Sequence, residues 1–113
     1  MDYEYKMKMV NDYRELKAKD MEATRMMTSE KFLLICANEV AKYFNEHADV
    51  TDGVSIKASD VYVVWYCKSL QNHKALLSTP MPDGMYYECT YNGDKHELYL
   101  DAYKKFENRC ISC

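Results

Sequence analysis

Met85-Tyr-Tyr-Glu-Cys-Thr-Tyr-Asn-Gly-Asp-Lys-His-Glu-Leu-Tyr-Leu100 decides the fold of this chain. Its two halves, Met85–Tyr91 and Lys95–Leu100, are rich in aromatic and other strand-favouring residues. They flank Asn92-Gly93, the strongest short-range hairpin signal, because a type I′ turn needs positive φ at both central residues. Working upstream, Pro80-Met-Pro-Asp-Gly84 reads as a loop, since proline cannot donate to a strand ladder. A strand over His73–Ser78 precedes it, entered through a turn at Gln71-Asn72. Residues 61–69 form the first strand, with Val61, Val63, Trp65 and Cys67 on one face and Tyr62, Val64 and Tyr66 on the other.

The remainder reads as helix. Thr28 or Ser29 can cap a helix by accepting a bond from a free N–H of its first turn. Phe32, Leu33, Cys36, Val40, Tyr43, Phe44 and His47 then recur at helical spacing, which predicts an amphipathic helix over 30–47, ended by Asp49 to Gly53. Asp101 is positioned to cap a last helix whose Tyr103, Phe106 and Cys110 share a face. Residues 2–9 alternate as a strand would, but Met, Glu and Lys favour helix and residues 10–27 carry only a thin apolar stripe. Residues 1–27 are therefore expected to be a helical arm that packs on something else, such as a second copy in a homodimer. The expected architecture is α+β: one domain over 28–113, its helix and C-terminal helix packed on a four-stranded antiparallel β-meander.

Composition narrows the function classes. The 113 residues include eleven Tyr and eight Met but three Gly and two Pro, too little glycine for a phosphate-cradling loop. Fifteen basic and eighteen acidic side chains give a net charge of −3, against the basic face a general nucleic-acid binder needs. Acids and bases balance outside residues 39–60. There Glu39, Glu46, Asp49, Asp52 and Asp60 meet only Lys42 and Lys57, an acidic segment that suits a basic protein partner or is simply a solvated helix end. No apolar run approaches the ~18 residues of a membrane span. The first residues lack the basic and apolar regions of a secretory signal, so a cytoplasmic protein with reduced thiols is expected.

Three constellations carry candidate chemistry. Cys110-Ile-Ser-Cys113 is the one close thiol pair, and two such thiolates can grip one tetrahedral zinc. Cys67, Cys89, His73 and His96 on or near the sheet and Cys36 on the helix are available to complete that site, with Cys67 and His73 its expected ligands, although free cysteines often serve as small core residues. Cys67 and His73 flank a predicted turn, so a thiol activated by imidazole is conceivable, but no oxyanion-stabilising group accompanies them and no catalytic residue is assigned. Tyr62, Tyr66, Tyr86 and Tyr99 fall on the sheet face opposite Val63, Trp65, Met85 and Leu98. Tyrosine buries large area while satisfying its own hydroxyl, so this face is either a partner-binding surface or the floor of a second buried layer.

Two segments carry a family resemblance. They are Trp65-Tyr-Cys-Lys-Ser-Leu-Gln-Asn-His-Lys-Ala-Leu-Leu-Ser-Thr79 and Gly84-Met-Tyr-Tyr-Glu-Cys-Thr-Tyr-Asn-Gly-Asp-Lys-His-Glu-Leu-Tyr-Leu-Asp-Ala-Tyr-Lys-Lys-Phe-Glu-Asn-Arg-Cys-Ile111. With the 30–47 helix, they resemble a family of small uncharacterised proteins from phages and prophages of Firmicutes, over roughly residues 29–112. The resemblance implies a mobile-element protein in a bacterial cytoplasm and transfers no activity. By analogy of genomic habit, the expected function is a non-enzymatic, protein-binding inhibitor, most concretely an anti-CRISPR protein blocking a CRISPR–Cas effector nuclease. Tyr62, Tyr66, Tyr86, Tyr99, Glu46, Asp49 and Asp52 would contact the partner. The alternative is an accessory protein of phage DNA metabolism that touches nucleic acid through Lys68, Lys74 and Lys95 beside the sheet aromatics.

Overall fold

A computed structural model describes residues 26–48 and 53–113. The expected helical arm over 1–27, and any homodimer formed through it, lie almost wholly outside the described residues. Among the described residues, one helix, α1 (Ser29–His47), is followed by a single 3-10 turn at Ala58–Asp60. Four strands then follow: β1 (Tyr62–Ser69), β2 (Asn72–Ser78), β3 (Met85–Asn92) and β4 (Glu97–Lys104). The strands lie in the order β1-β2-β3-β4, each antiparallel to its neighbour, so the α+β meander is observed.

The start of α1 follows its capping chemistry: Thr28 is extended, and its Oγ1 accepts from Lys31 N at 3.1 Å. Phe32, Cys36, Ala37, Val40 and Ala41 share the stripe that faces the sheet. Ala75 and Leu77 of β2 and Tyr87, Cys89 and Tyr91 of β3 meet that stripe in one hydrophobic core. The Asn45 side chain ties the far end of the helix to the following loop. Its amide donates to Ile56 O at 2.9 Å and its oxygen accepts from Ile56 N at 2.8 Å.

Three features depart from the sequence reading. Between Val63 and Trp65 the β1–β2 register slips: Val63 pairs with Leu77 and Trp65 with Leu76, leaving Val64 as the extra residue of a bulge. Beyond a one-residue bulge every side chain changes face. Tyr66 therefore joins Val63 on the helix side, while Trp65 and Cys67 join Tyr62 on the opposite side.

The expected C-terminal helix is the second correction. Asp101–Lys104 continue β4 instead, because β3 offers a partner for each: Glu88↔Asp101, Tyr87↔Ala102, Tyr86↔Tyr103 and Met85↔Lys104. Lys105 N extends the pairing by donating to Gly84 O at 2.8 Å. Residues 105–113 have no regular structure, and the face predicted for Tyr103, Phe106 and Cys110 has no core to cover.

The third concerns Asn92-Gly93. The loop runs over four residues, 93–96, and Gly93 is not left-handed; His96 takes the positive φ, at 54°. Asn92 Oδ1 accepts from Asp94 N at 3.0 Å and Lys95 N at 3.2 Å, closing the turn through its side chain. Glycine is required here for close approach. A Cβ on Gly93 would strike the Gln71 carbonyl and lie 2.6 Å from Gln71 Cγ. Gly93 N also donates to Asn72 Oδ1 at 2.9 Å, and the Gln71 amide bonds Asp94. Gly93→Ala should therefore push apart the two turns at this end of the sheet and cost about 1–2 kcal/mol, as overpacking does. Thermal unfolding with an unchanged melting temperature would contradict this account.

Candidate functional site

The helix covers one side of the sheet. Nothing among the described residues covers the other. Alternation and register place successive rows on this open face: Tyr62, Ser78, Tyr86 and Tyr103 form one, and Trp65, Leu76, Glu88 and Asp101 the next. Cys67, Lys74, Thr90 and Tyr99 form a third. Trp65 is 40% exposed and Tyr103 52%, far above the level of core aromatics such as Tyr87 at 2%. Rigid rings on a hydrogen-bonded scaffold lose little side-chain entropy when covered, which is why aromatics dominate binding hot spots.

The electrostatics of this face are acidic. Among its strand residues Glu88, Glu97 and Asp101 stand against the single cation Lys74, which lies 3.4 Å from Glu88. Tyr99 donates to Glu97, and that hydrogen bond, then the carboxylate charge, pushes its phenol up from the ordinary range. Such a surface repels phosphates. Lys68 does not join Lys74, since it lies on the helix side of β1 opposite His73, and Lys95 sits in the β3–β4 loop.

Of the tyrosines expected to meet a partner, Tyr62, Tyr86 and Tyr99 are brought together on the open face. Tyr66 is not, because the bulge turns it inward. Its ring packs 5.8 Å from Phe32, and its hydroxyl bonds His73 Nδ1 at 2.6 Å and Ser29 Oγ at 3.1 Å. Glu46 is exposed in the last turn of α1, while Asp49 and Asp52 lie outside the described residues. Trp65 and Tyr103 belong to the face and were missed. Tyr103 carried a signal: the alternation Tyr99, Asp101, Tyr103 continues that of β4. Trp65 carried none, since a bulge in a run of Val and Tyr leaves the pattern unmarked.

The remaining candidate pairs do not assemble. Cys67 is opposite Lys74 on the open face, whereas His73 is 2% exposed on the helix side, so no thiol–imidazole hydrogen bond forms across the β1–β2 turn. The same separation splits the zinc set of Cys67, His73, Cys110 and Cys113. Among the described residues no three or more metal-ligating side chains cluster. Cys36 and Cys89 are buried together, and burial followed by their mutual hydrogen bond raises the Cys36 thiol far beyond ionisation.

A concavity of about 470 Å³ opens between the β1–β2 and β3–β4 turns and is lined by Met27, Lys68, Leu70, Tyr91 and His96 among others. Leu70 and His96, the two non-glycine residues with positive φ among the described residues, both border it. His96 Nδ1 lies 3.1 Å from the Tyr91 hydroxyl. Among the described residues, no helix is long and apolar enough to cross a membrane.

No curated protein and no solved structure matches this chain. The model of a family of unknown function, DUF6275, matches residues 33–113, a span that takes in nearly all of α1, the whole meander and the tail after it, and the chain belongs to that family.

Proposed function

We propose that this protein is a non-enzymatic binding protein that docks a protein partner on the open face of its sheet. The observation that carries this reading is the aromatic surface of Tyr62, Trp65, Tyr86, Tyr99 and Tyr103, which no described residue covers, set among Glu88, Glu97 and Asp101. Its chemistry suits a partner that presents apolar side chains ringed by Lys or Arg. The acidic balance disfavours nucleic acid, whose binding depends on neutralising phosphates. The resemblance to phage proteins directs the same proposal to a bacterial cytoplasm and, most concretely, to a CRISPR–Cas effector nuclease as the inhibited target.

Tagged protein incubated with lysate of a CRISPR-bearing host tests the reading against its own open-face variant. Wild-type chain should retain a specific protein and suppress cleavage by the purified nuclease. Trp65→Ser combined with Tyr103→Ser should weaken capture at least about thirtyfold, the equivalent of about 2 kcal/mol at a hot spot. Both side chains are about half exposed, so the variant should fold normally. Identical capture by wild type and variant would overturn the open face as the docking site. Capture without loss of cleavage would keep the binding reading and remove the nuclease.

A further inference from the structure

The pair Cys110 and Cys113 is left unexplained by the open sheet face. Both thiols are exposed, in a tail that leaves β4 after Lys104 and is exposed along its whole length. Two cysteines two residues apart can bind one metal together, but a structural zinc takes four ligands in tetrahedral array. The five cysteines and three histidines of this sequence all lie within the described residues.

None of the others is gathered beside the pair, since among the described residues no three or more metal-ligating side chains cluster. Cys36 and Cys89 are buried in the core beneath α1, and Cys67 lies in the β1 row of the open face. His73 is buried against Phe32, His47 bonds Tyr43 O at 2.8 Å, and His96 sits at the β3–β4 turn beside Tyr91. The tail therefore supplies half of a soft-metal site. A second copy of the same tail supplies the matching half, and a two-fold axis through the metal makes the two halves equivalent.

We propose that Cys110 and Cys113 of two chains together bind one zinc ion in a four-thiolate site that joins the chains into a dimer. Zn²⁺ displaces four thiol protons to the solvent, and no electron is transferred. The exposed apolar neighbours fit this arrangement. Phe106 is 91% exposed and Ile111 75%, and pairing two tails around a metal would give each a surface to cover. Thiolate ligation also makes the dimer acid-sensitive, because protons compete with the metal for sulfur.

The full chain, purified metal-free under a phosphine reductant, is titrated with Zn²⁺ and followed by metal analysis and sedimentation. Binding should saturate at about one zinc per two chains, with the mass doubling in step and reverting on addition of a chelator. Co²⁺ in place of Zn²⁺ should give the intense visible bands of tetrahedral thiolate coordination. Cys110→Ser and Cys113→Ser should each abolish dimer and spectrum, while Cys67→Ser leaves both unchanged. The tail takes no part in the core, so these variants fold. One zinc per chain without a change in mass, a spectrum that needs Cys67, or no binding under reduction would each overturn the proposal.

Discussion

Phe32→Ala is expected to lower the unfolding free energy by about 3–5 kcal/mol, the usual loss when a fully buried phenylalanine is truncated. Phe32 is 0% exposed in the first turn of α1. Its ring stacks on His73 at 5.1 Å between centroids and tilts against Tyr66 at 5.8 Å. Truncation thus removes more than transfer energy. The pocket left behind adjoins a hydrogen-bonded Ser29–Tyr66–His73 chain, and collapse into it would break those bonds. The three partners are fixed by a helix cap and two paired strands, so little relaxation can offset the cavity. Urea unfolding of the metal-free protein measures the loss, with Phe106→Ala as its control. Phe106 is 91% exposed, and its truncation should move stability by no more than about 0.5 kcal/mol. A Phe32→Ala loss below about 1 kcal/mol would show that α1 is not anchored at this end.

The contrast between these two phenylalanines shows what periodicity can and cannot reveal. Phe32 sits in a helical stripe that repeats through Cys36 and Val40, and that repetition locates both the helix and its buried side. Phe106 entered a predicted helix on the strength of Asp101, Tyr103 and Cys110, a pattern that local spacing permits. A ladder decided the matter. β3 has eight residues, and its Met85–Glu88 half offers backbone partners that a helix at 101–104 would leave unpaired. Such a choice depends on chain segments far apart in sequence, so no window of residues contains it. The bulge at Val64 is hidden for a related reason: slippage is visible only against the partner strand. It alone moved Tyr66 into the core and Trp65 onto the open face. Tyr86 and Tyr99 were legible because β3 and the first half of β4 keep strict alternation, and Tyr62 because it precedes the bulge. Gly93 was legible as a turn residue but not for its true constraint, which comes from Gln71 in the neighbouring turn.

Acid should destabilise this protein through His73. His73 Nδ1 shares a hydrogen bond with the Tyr66 hydroxyl at 2.6 Å, and that hydroxyl also bonds Ser29 Oγ. Nε2 has no hydrogen-bond partner among the described residues, and the ring lies beneath Phe32 with Tyr91 edge-on at 6.0 Å. Protonating the ring places a charge in a buried position. Burial, and secondarily the Lys68 charge, push the His73 imidazole below its ordinary 6.5, with the Met27 backbone pulling weakly the other way. The sign follows. Above pH 6.5 both folded and unfolded chains hold His73 neutral, and its contribution to stability is complete. As pH falls below that value the unfolded chain takes up the proton first, so stability drops until the folded-state value is passed. One proton gives a slope of at most about 1.4 kcal/mol per pH unit. His73→Phe keeps the ring stack and removes the titration, so its unfolding midpoint between pH 7 and 5 should be flatter than that of the wild type. Tyr66→Phe, by contrast, should retain the acid slope while losing stability at neutral pH, since it takes away the Nδ1 partner but leaves the imidazole buried. An acid slope identical in wild type and His73→Phe would assign the effect to carboxylates and leave the buried imidazole without influence on the fold.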